Sequence, residues 1–305
     1  MNVATSLPAA KSLLAANLIC MASMLIWAAG LPANSYLIPL LPPLVLSALR
    51  MAVAAAALLP FWLWLEGSQA LRGANWIKGT LVGAMIGLGG LLLILGQART
   101  DAVTVAVISA AMPIIGVTLE VVLDGRKLTV ALGLGLILAV VGGVVALGGG
   151  FGAVAFGAGA LMILASTICF TLGSRLTVTA FPALTPLGRT AITLVGAAVA
   201  SLAVAAVATT LGLSAPPDFA VMGGREWAAL GVFAVGSLAL SQMLWIIAVG
   251  QLGIGLAALH VNATPFYVML ILLALGGAWN WPQAIGAAIV GLAVLVAQDL
   301  LRRRA

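Results

Sequence analysis

The chain has 305 residues, 64% of them hydrophobic and 7% charged, with a mean hydropathy of +1.26. A soluble domain carries roughly 25% charged residues, so there is too little polar material here to cover a water-facing surface, and an ordinary soluble fold is excluded. The formal charge of +6 does not signal nucleic acid, because the basic residues are scattered between apolar segments and do not gather on a face or an arm.

Stretches of about 20 apolar residues are long enough to cross the hydrocarbon core of a bilayer. Ten are predicted, at 12–30, 43–65, 76–96, 102–123, 128–148, 157–176, 186–211, 226–249, 252–276 and 282–301. The expected fold is an all-α integral membrane protein of ten transmembrane helices, a single membrane domain. Only the connections 31–42 (LPANSYLIPLLP) and 212–225 (GLSAPPDFAVMGGR) exceed a tight turn. Lys11, the apolar run behind it and the small residues Ala28, Ala29 and Gly30 imitate a secretory signal, but the length of the run and the many spans that follow predict a retained first helix. Cys20 and Cys169 both fall inside apolar segments, with neither metal-ligand spacing nor a disulfide framework, so no metal and no cofactor is expected. Gly79, Gly83 and Gly87 form a stripe at spacing four, as do Ala131, Gly135, Ala139 and Gly143. Such stripes let helix backbones approach closely, within a monomer or across a homodimer.

Lys and Arg in short loops set orientation. With the N-terminus inside, the cytoplasmic side receives Lys11, Arg72, Lys78, Arg126, Lys127, Arg175, Arg302, Arg303 and Arg304, and the outer side only Arg99 and Arg225. This bias predicts a multi-pass protein of the cell (inner) membrane with both termini in the cytoplasm. Trp62, Trp64 and Trp76 at the second loop and Trp227, Trp279 and Trp281 at outer segment ends agree with an interfacial aromatic belt. Trp27 and Trp245 lie deeper, as packing or lipid-facing residues or as faces on which an aromatic or cationic ligand stacks.

Ionisable groups inside spans are costly and are functional candidates by default. Arg50 lies roughly 10 Å from the outer end of its helix, where it can snorkel or bond carbonyls freed elsewhere; a structural gate or anchor is the favoured reading, as for Arg189 near an inner surface. Glu120, about one turn from the cytoplasmic end of the fourth span, is expected to pair with Arg126 or Lys127 as a gate or anchor. His260, the single histidine, is followed one turn later by Thr264. Positions four apart share a helix face, so both side chains are expected in one polar pocket; the alternative is a core histidine satisfied by a neighbouring helix. If transport is proton-linked, His260 is the mid-span group that titrates near neutral pH. Asn262 faces elsewhere on the same helix. Further cavity candidates are Ser23 with Trp27, Ser109 before Pro113, Ser166 with Thr167, and Ser241-Gln242 with Trp245. A hydroxyl in a membrane helix usually bonds its own backbone, whereas the Gln242 amide needs several partners.

Pro113 and Pro265 each sit midway along an apolar segment, and the two segments hold matching places in the two halves of the chain. A helical proline removes one backbone bond and displaces the carbonyl four residues earlier, Val261 in the case of Pro265. In lipid such an oxygen must be received by protein or by a water-filled cavity, and paired interruptions of this kind point to a transporter's binding site near the bilayer midplane. Other features repeat in the same order. Ala22, Ser23, Leu25, Trp27 and Gly30 share spacing with Ala165, Ser166, Ile168, Phe170 and Gly173; Arg50 and Arg189 open the second helix of each half; Gly96-Gln97 and Gly250-Gln251 close the third. Five spans per half is an odd number, so the second repeat (151–305) is expected to run inverted to the first (1–150).

Five spans with Arg in the second, Gly-Gln ending the third and Pro midway in the fourth resemble the EamA repeat of the drug/metabolite transporter superfamily. The resemblance covers nearly the whole chain and implies a carrier of small metabolites, often an exporter of amino acids or related compounds, with a central cavity lined by the first, third and fourth helices of each half. Relatives that carry sugar phosphates hold phosphate with basic cavity residues, and the ninth span here has no Lys or Arg. The small multidrug relatives depend on a glutamate in their first helix, and this first helix has no acidic residue.

The expected function is secondary transport of a small-molecule substrate by alternating access, passive or proton-coupled, since no phosphate-cradling loop provides for ATP. Two alternatives stand beside it. One is a membrane-embedded enzyme using Ser109 or Ser241 with His260, although no Gly-x-Ser-x-Gly elbow and no orienting mid-span carboxylate accompany them. The other is a structural membrane subunit.

Overall fold

The computed structural model describes residues 10–97, 99, 108–109, 111–146 and 157–298. Among the described residues ten long helices follow one another: α1 (Ala10–Leu37), α2 (Pro43–Arg72), α3 (Trp76–Gln97), α4 (Met112–Asp124), α5 (Val130–Ala146), α6 (Ala158–Thr179), α7 (Pro186–Thr210), α8 (Gly224–Leu252), α9 (Ile254–Ala274) and α10 (Trp281–Ala297). There is no strand among the described residues. Seven helices, α1–α3 and α6–α9, are long and apolar enough to cross a membrane. The other three are shorter: α5 and α10 have 17 residues each, and α4 has 13. Most of 102–111, the expected boundary between the halves at 150 and 151, and Arg302, Arg303 and Arg304 lie outside the described residues.

Two helices overrun their predicted ends. α1 continues through Pro32 to Leu37, inside the expected connection. Leu37 and Leu41 are buried in a cluster with Leu46, Met222, Leu230 and Phe233, and this burial outweighs the single backbone bond lost at the proline. α2 extends past 65 to Arg72 across a kink at Gly67, whose φ of 76° is a backbone geometry glycine adopts freely.

Two other helices change winding along their length. α8 is α-helical over Gly224–Gly231, widens to a π-helix over Val232–Leu240 and tightens again from Ser241. α9 is interrupted by a 3-10 stretch at His260–Ala263, one turn before Pro265.

The elements pair across the sequence. α1 packs along α8, α2 along α7, α3 along both α6 and α7, α4 along α9, and α5 along α10. The predicted glycine stripes make these contacts within one chain. A Cβ on Gly83 would lie 2.2 Å from the Thr193 carbonyl of α7, and one on Gly135 of α5 would lie 2.8 Å from the Ala293 carbonyl of α10. Both interfaces therefore bring backbone against backbone, which only small residues allow. Outside, Leu14, Ile77, Val130 and Leu161 are exposed on the helix surfaces. A continuous apolar exterior of this kind suits lipid and would aggregate in water.

Candidate functional site

The bundle encloses a cavity of about 670 Å³. Of the predicted candidates, Trp27, Ser109, Ser166, Gln242, Trp245 and Thr264 line it, with Pro265 and Arg50. Ser23, His260, Pro113, Glu120 and Arg189 are outside the lining.

The walls are held by polar ties. Ser23 Oγ on α1 donates to the Ser241 carbonyl of α8 at 2.8 Å, and Ser166 Oγ on α6 donates to the Gly89 carbonyl of α3 at 2.6 Å. Ser237 Oγ donates to the Trp27 carbonyl at 3.0 Å. Each hydroxyl binds a facing helix here, not its own backbone. Trp245 Nε1 donates to Ser174 Oγ at 3.0 Å, and its ring lies 6.3 Å from that of Phe170. Gln242 is buried at the wall, and its Nε2 has no hydrogen-bond partner among the described residues.

The two proline breaks share one backbone geometry. Ala111 and Ala263, each two residues before its proline, have φ/ψ of −78°/−7° and −84°/−3° and cap the following helix. An i→i+3 bond precedes each, from Ala111 N–H to the Ile108 carbonyl and from Thr264 N–H to that of Val261. The Val261 carbonyl, expected to be received by protein or by a water-filled cavity, is bonded by protein: Thr264 Oγ1 also donates to it, at 2.6 Å.

The expectation that His260 and Thr264 share one pocket is corrected here. Thr264 lines the cavity, whereas His260 is 4% exposed and lies outside it. The reason is the 3-10 stretch between them: at three residues per turn, positions four apart are rotated by about 120° and no longer eclipse. Asn262 lines the cavity and at the same time donates from Nδ2 to the Ala139 carbonyl of α5 at 3.0 Å.

Arg50 is the one charged side chain on the lining among the described residues. It is 7% exposed; its Nε donates to the Phe233 carbonyl at 3.3 Å, and the guanidinium sits 4.1 Å above the Phe233 ring. Phe233 belongs to the π-helical stretch of α8, so the widened turn supplies both the carbonyl and the ring. Sequence reasoning missed Asn34, which falls in the stretch expected to be a connection, and Phe170. Phe170 shares its spacing with Trp27, Ser166 standing to it as Ser23 stands to Trp27, so that spacing held the signal.

At the opposite end Glu120 on α4 is buried. Its Oε1 accepts from the Gly255 N–H of α9 at 3.1 Å, and its Oε2 pairs with Arg126. Asp124 pairs with Arg175 of α6. Arg189 donates from Nε to the Phe181 carbonyl at 2.9 Å and from Nη2 to that of Pro182 at 3.1 Å.

The chain was compared with known proteins. The family model of the EamA-like transporter family matches residues 14–148. A crystal structure of a protein 23% identical to this chain superposes with a TM-score of 0.76, covering 95% of this chain and 99% of its own, which shows a shared fold. No curated protein matches the sequence. The segment from α1 to α5 thus matches the EamA-like transporter family, and the solved structure shares the fold over nearly the whole length of the chain.

Proposed function

We propose that the protein is a secondary carrier that exports amino acids or related small metabolites across the cell (inner) membrane, with both termini in the cytoplasm. The observation that carries this reading is the cavity. At about 670 Å³ it falls within the range of small-molecule sites. Its walls are largely apolar, with aromatic faces from Trp27, Phe170 and Trp245 and a few hydroxyl and amide groups, which suits a compact zwitterion with an apolar side chain.

Alternating access needs two bodies that rock about that cavity, and several features support two inverted repeats (1–150 and 151–305). The alanine–proline breaks of α4 and α9 have the same geometry. Ser23 and Ser166, matched in sequence, each bond the backbone of the facing helix. The pairing of α1 with α8 mirrors that of α6 with α3, while α2 meets α7, α4 meets α9 and α5 meets α10. A two-fold relation between halves produces this set of partners. The enzymatic alternative gains no such support, because His260 stays outside the cavity that Ser109 and Ser241 line.

Proteoliposomes with purified protein, loaded with individual labelled amino acids and assayed for efflux, test the proposal. Selective efflux above that of protein-free vesicles is the expected result. Rates equal to protein-free vesicles across the whole panel would remove the amino-acid assignment.

A further inference from the structure

We infer that Arg50 is the anion-binding group of the cavity, and that the compound carried binds there through a carboxylate; this names the substrate class within the carrier reading above and rests on it. A guanidinium taken from water into a low-dielectric wall is costly unless opposite charge or strong acceptors meet it. Arg50 has little of either. The two ion pairs among the described residues, Glu120–Arg126 and Asp124–Arg175, lie elsewhere, and none of the described residues that line the cavity is acidic. Among the described residues Arg50 meets one carbonyl, bonded to Nε, and one aromatic face, both from Phe233. Guanidinium has five N–H donors in a planar fork. One is spent among the described residues, which leaves the outer edge, carrying the terminal nitrogens, as a two-pronged donor. That edge matches a carboxylate bidentately.

The setting fixes this donor firmly. Phe233 offers its carbonyl and its ring from a π-helical segment, a deformation frequent at functional sites. Asn34, also on the lining, is 7% exposed and leaves its Oδ1 without a hydrogen-bond partner among the described residues. It is a second polar group at the same end of the bundle as Arg50, one able to accept from a substrate ammonium. A phosphate dianion would call for more than one cation, and the lining holds one. The single positive charge therefore selects a monoanionic carboxylate.

The test uses the full-length protein in nanodiscs, with binding read from tryptophan fluorescence as the twenty amino acids, their amides and inorganic phosphate are added. Efflux is measured in parallel from proteoliposomes. Expected for the wild type is that acids bind at least about tenfold more tightly than their amides and that phosphate does not compete. In Arg50→Gln the acids should lose about ten- to a hundredfold in affinity while the amides change by less than about twofold, the scale of one charge-assisted bond. Arg50→Lys should fall between. Equal binding of acid and amide, binding of no acid at all, tighter binding of phosphate, or equal losses for acid and amide in Arg50→Gln would each overturn the site. If Arg50→Gln does not fold, the acid-to-amide ratios of the wild type and Arg50→Lys decide. Arg50-dependent binding of acids without efflux sinks the carrier reading and leaves the site standing; efflux indifferent to acid or amide does the reverse.

Discussion

Arg50 and Arg189 hold matching places in the two halves of the sequence, yet their surroundings are opposite. Arg189, at the end of the bundle where α6 meets α7, spends two nitrogens on the Phe181 and Pro182 carbonyls. Lys78 adds a third tie to the same turn, donating to the Ala180 carbonyl at 2.8 Å. Cations gathered on the cap and turn just past the end of α6 are in a favourable position, near the negative end of the helix dipole. Arg50, toward the end where α1 meets α2, faces the cavity with one carbonyl and one ring for company. The inverted repeats proposed above would place equivalent residues at opposite ends of the bundle. One end has used its charge to lock helices together, and the other has kept a charge in reserve. The contrast teaches that two arginines with matching places in the sequence can differ in role, because the local carbonyl supply sets what each does.

The locked end should therefore respond to mutation in stability and the cavity end in ligand preference. The largest stability effect is expected at Glu120, which joins α4 to the start of α9 and to Arg126. Glu120→Ala leaves the buried Gly255 N–H and the Arg126 guanidinium without their acceptor. Removing one partner of a fully buried pair costs roughly 3–5 kcal/mol; with the Arg126 side chain 28% exposed, a loss of about 2–3 kcal/mol is expected. Thermal melting in detergent checks this, and an unchanged melt would mean the end is closed by packing alone.

Gly253→Ala follows. Gly253 has a φ of 81°, and a Cβ there would lie 2.3 Å from Glu120 Oε1. Left-handed strain and the displaced carboxylate together should cost about 1–3 kcal/mol. In the Glu120→Ala background the clash is gone and a smaller increment should remain, which a double-mutant cycle of melting temperatures would reveal.

His260 lies between the two regions. Burial outside the cavity predicts that His260→Ala lowers stability by roughly 1–2 kcal/mol, as for other buried truncations, and leaves the pH profile of efflux where it was. A shifted profile would restore the proton-linked reading of this residue.

How much of this was legible in the sequence varies with the kind of interaction. Pro113, Pro265 and the serine–aromatic spacing announced the breaks and the cavity walls, because proline chemistry and helical periodicity are local. The helical pattern could not anticipate the 3-10 and π segments. They arise where tertiary contact re-pitches a helix, and the first of them turned His260 away from Thr264. Likewise Asn34 was hidden in an expected connection, since the burial of Leu37 and Leu41 that carries α1 through Pro32 depends on residues near 222–233. Arg50 was visible as a charge in a span; its lack of a counter-charge was not, because that depends on which side chains the fold brings near it.

Two surface ties complete the comparison with the smallest effects. Asp124→Asn breaks the Asp124–Arg175 pair at the locked end; with the Asp124 side chain 43% exposed, about 0.5 kcal/mol or less is expected, shrinking as salt is raised. At the other end Tyr36 donates its phenol to Glu226, joining α1 to α8. This bond holds the proton and pushes the Tyr36 phenol above its ordinary range. A group raised in the folded state contributes its stability fully below its unfolded pKa, about 10 for tyrosine, and loses it as pH rises through the folded value. Tyr36→Phe should therefore lower the melt slightly at pH 7, where the contribution is complete, and the gap to the wild type should close above about pH 10, seen by comparing wild-type and variant melts from pH 7 to 11. An effect at pH 7 as large as that of Glu120→Ala would mean that the cavity end is locked as firmly as its opposite. The asymmetry on which the reserve charge of Arg50 depends would then be lost.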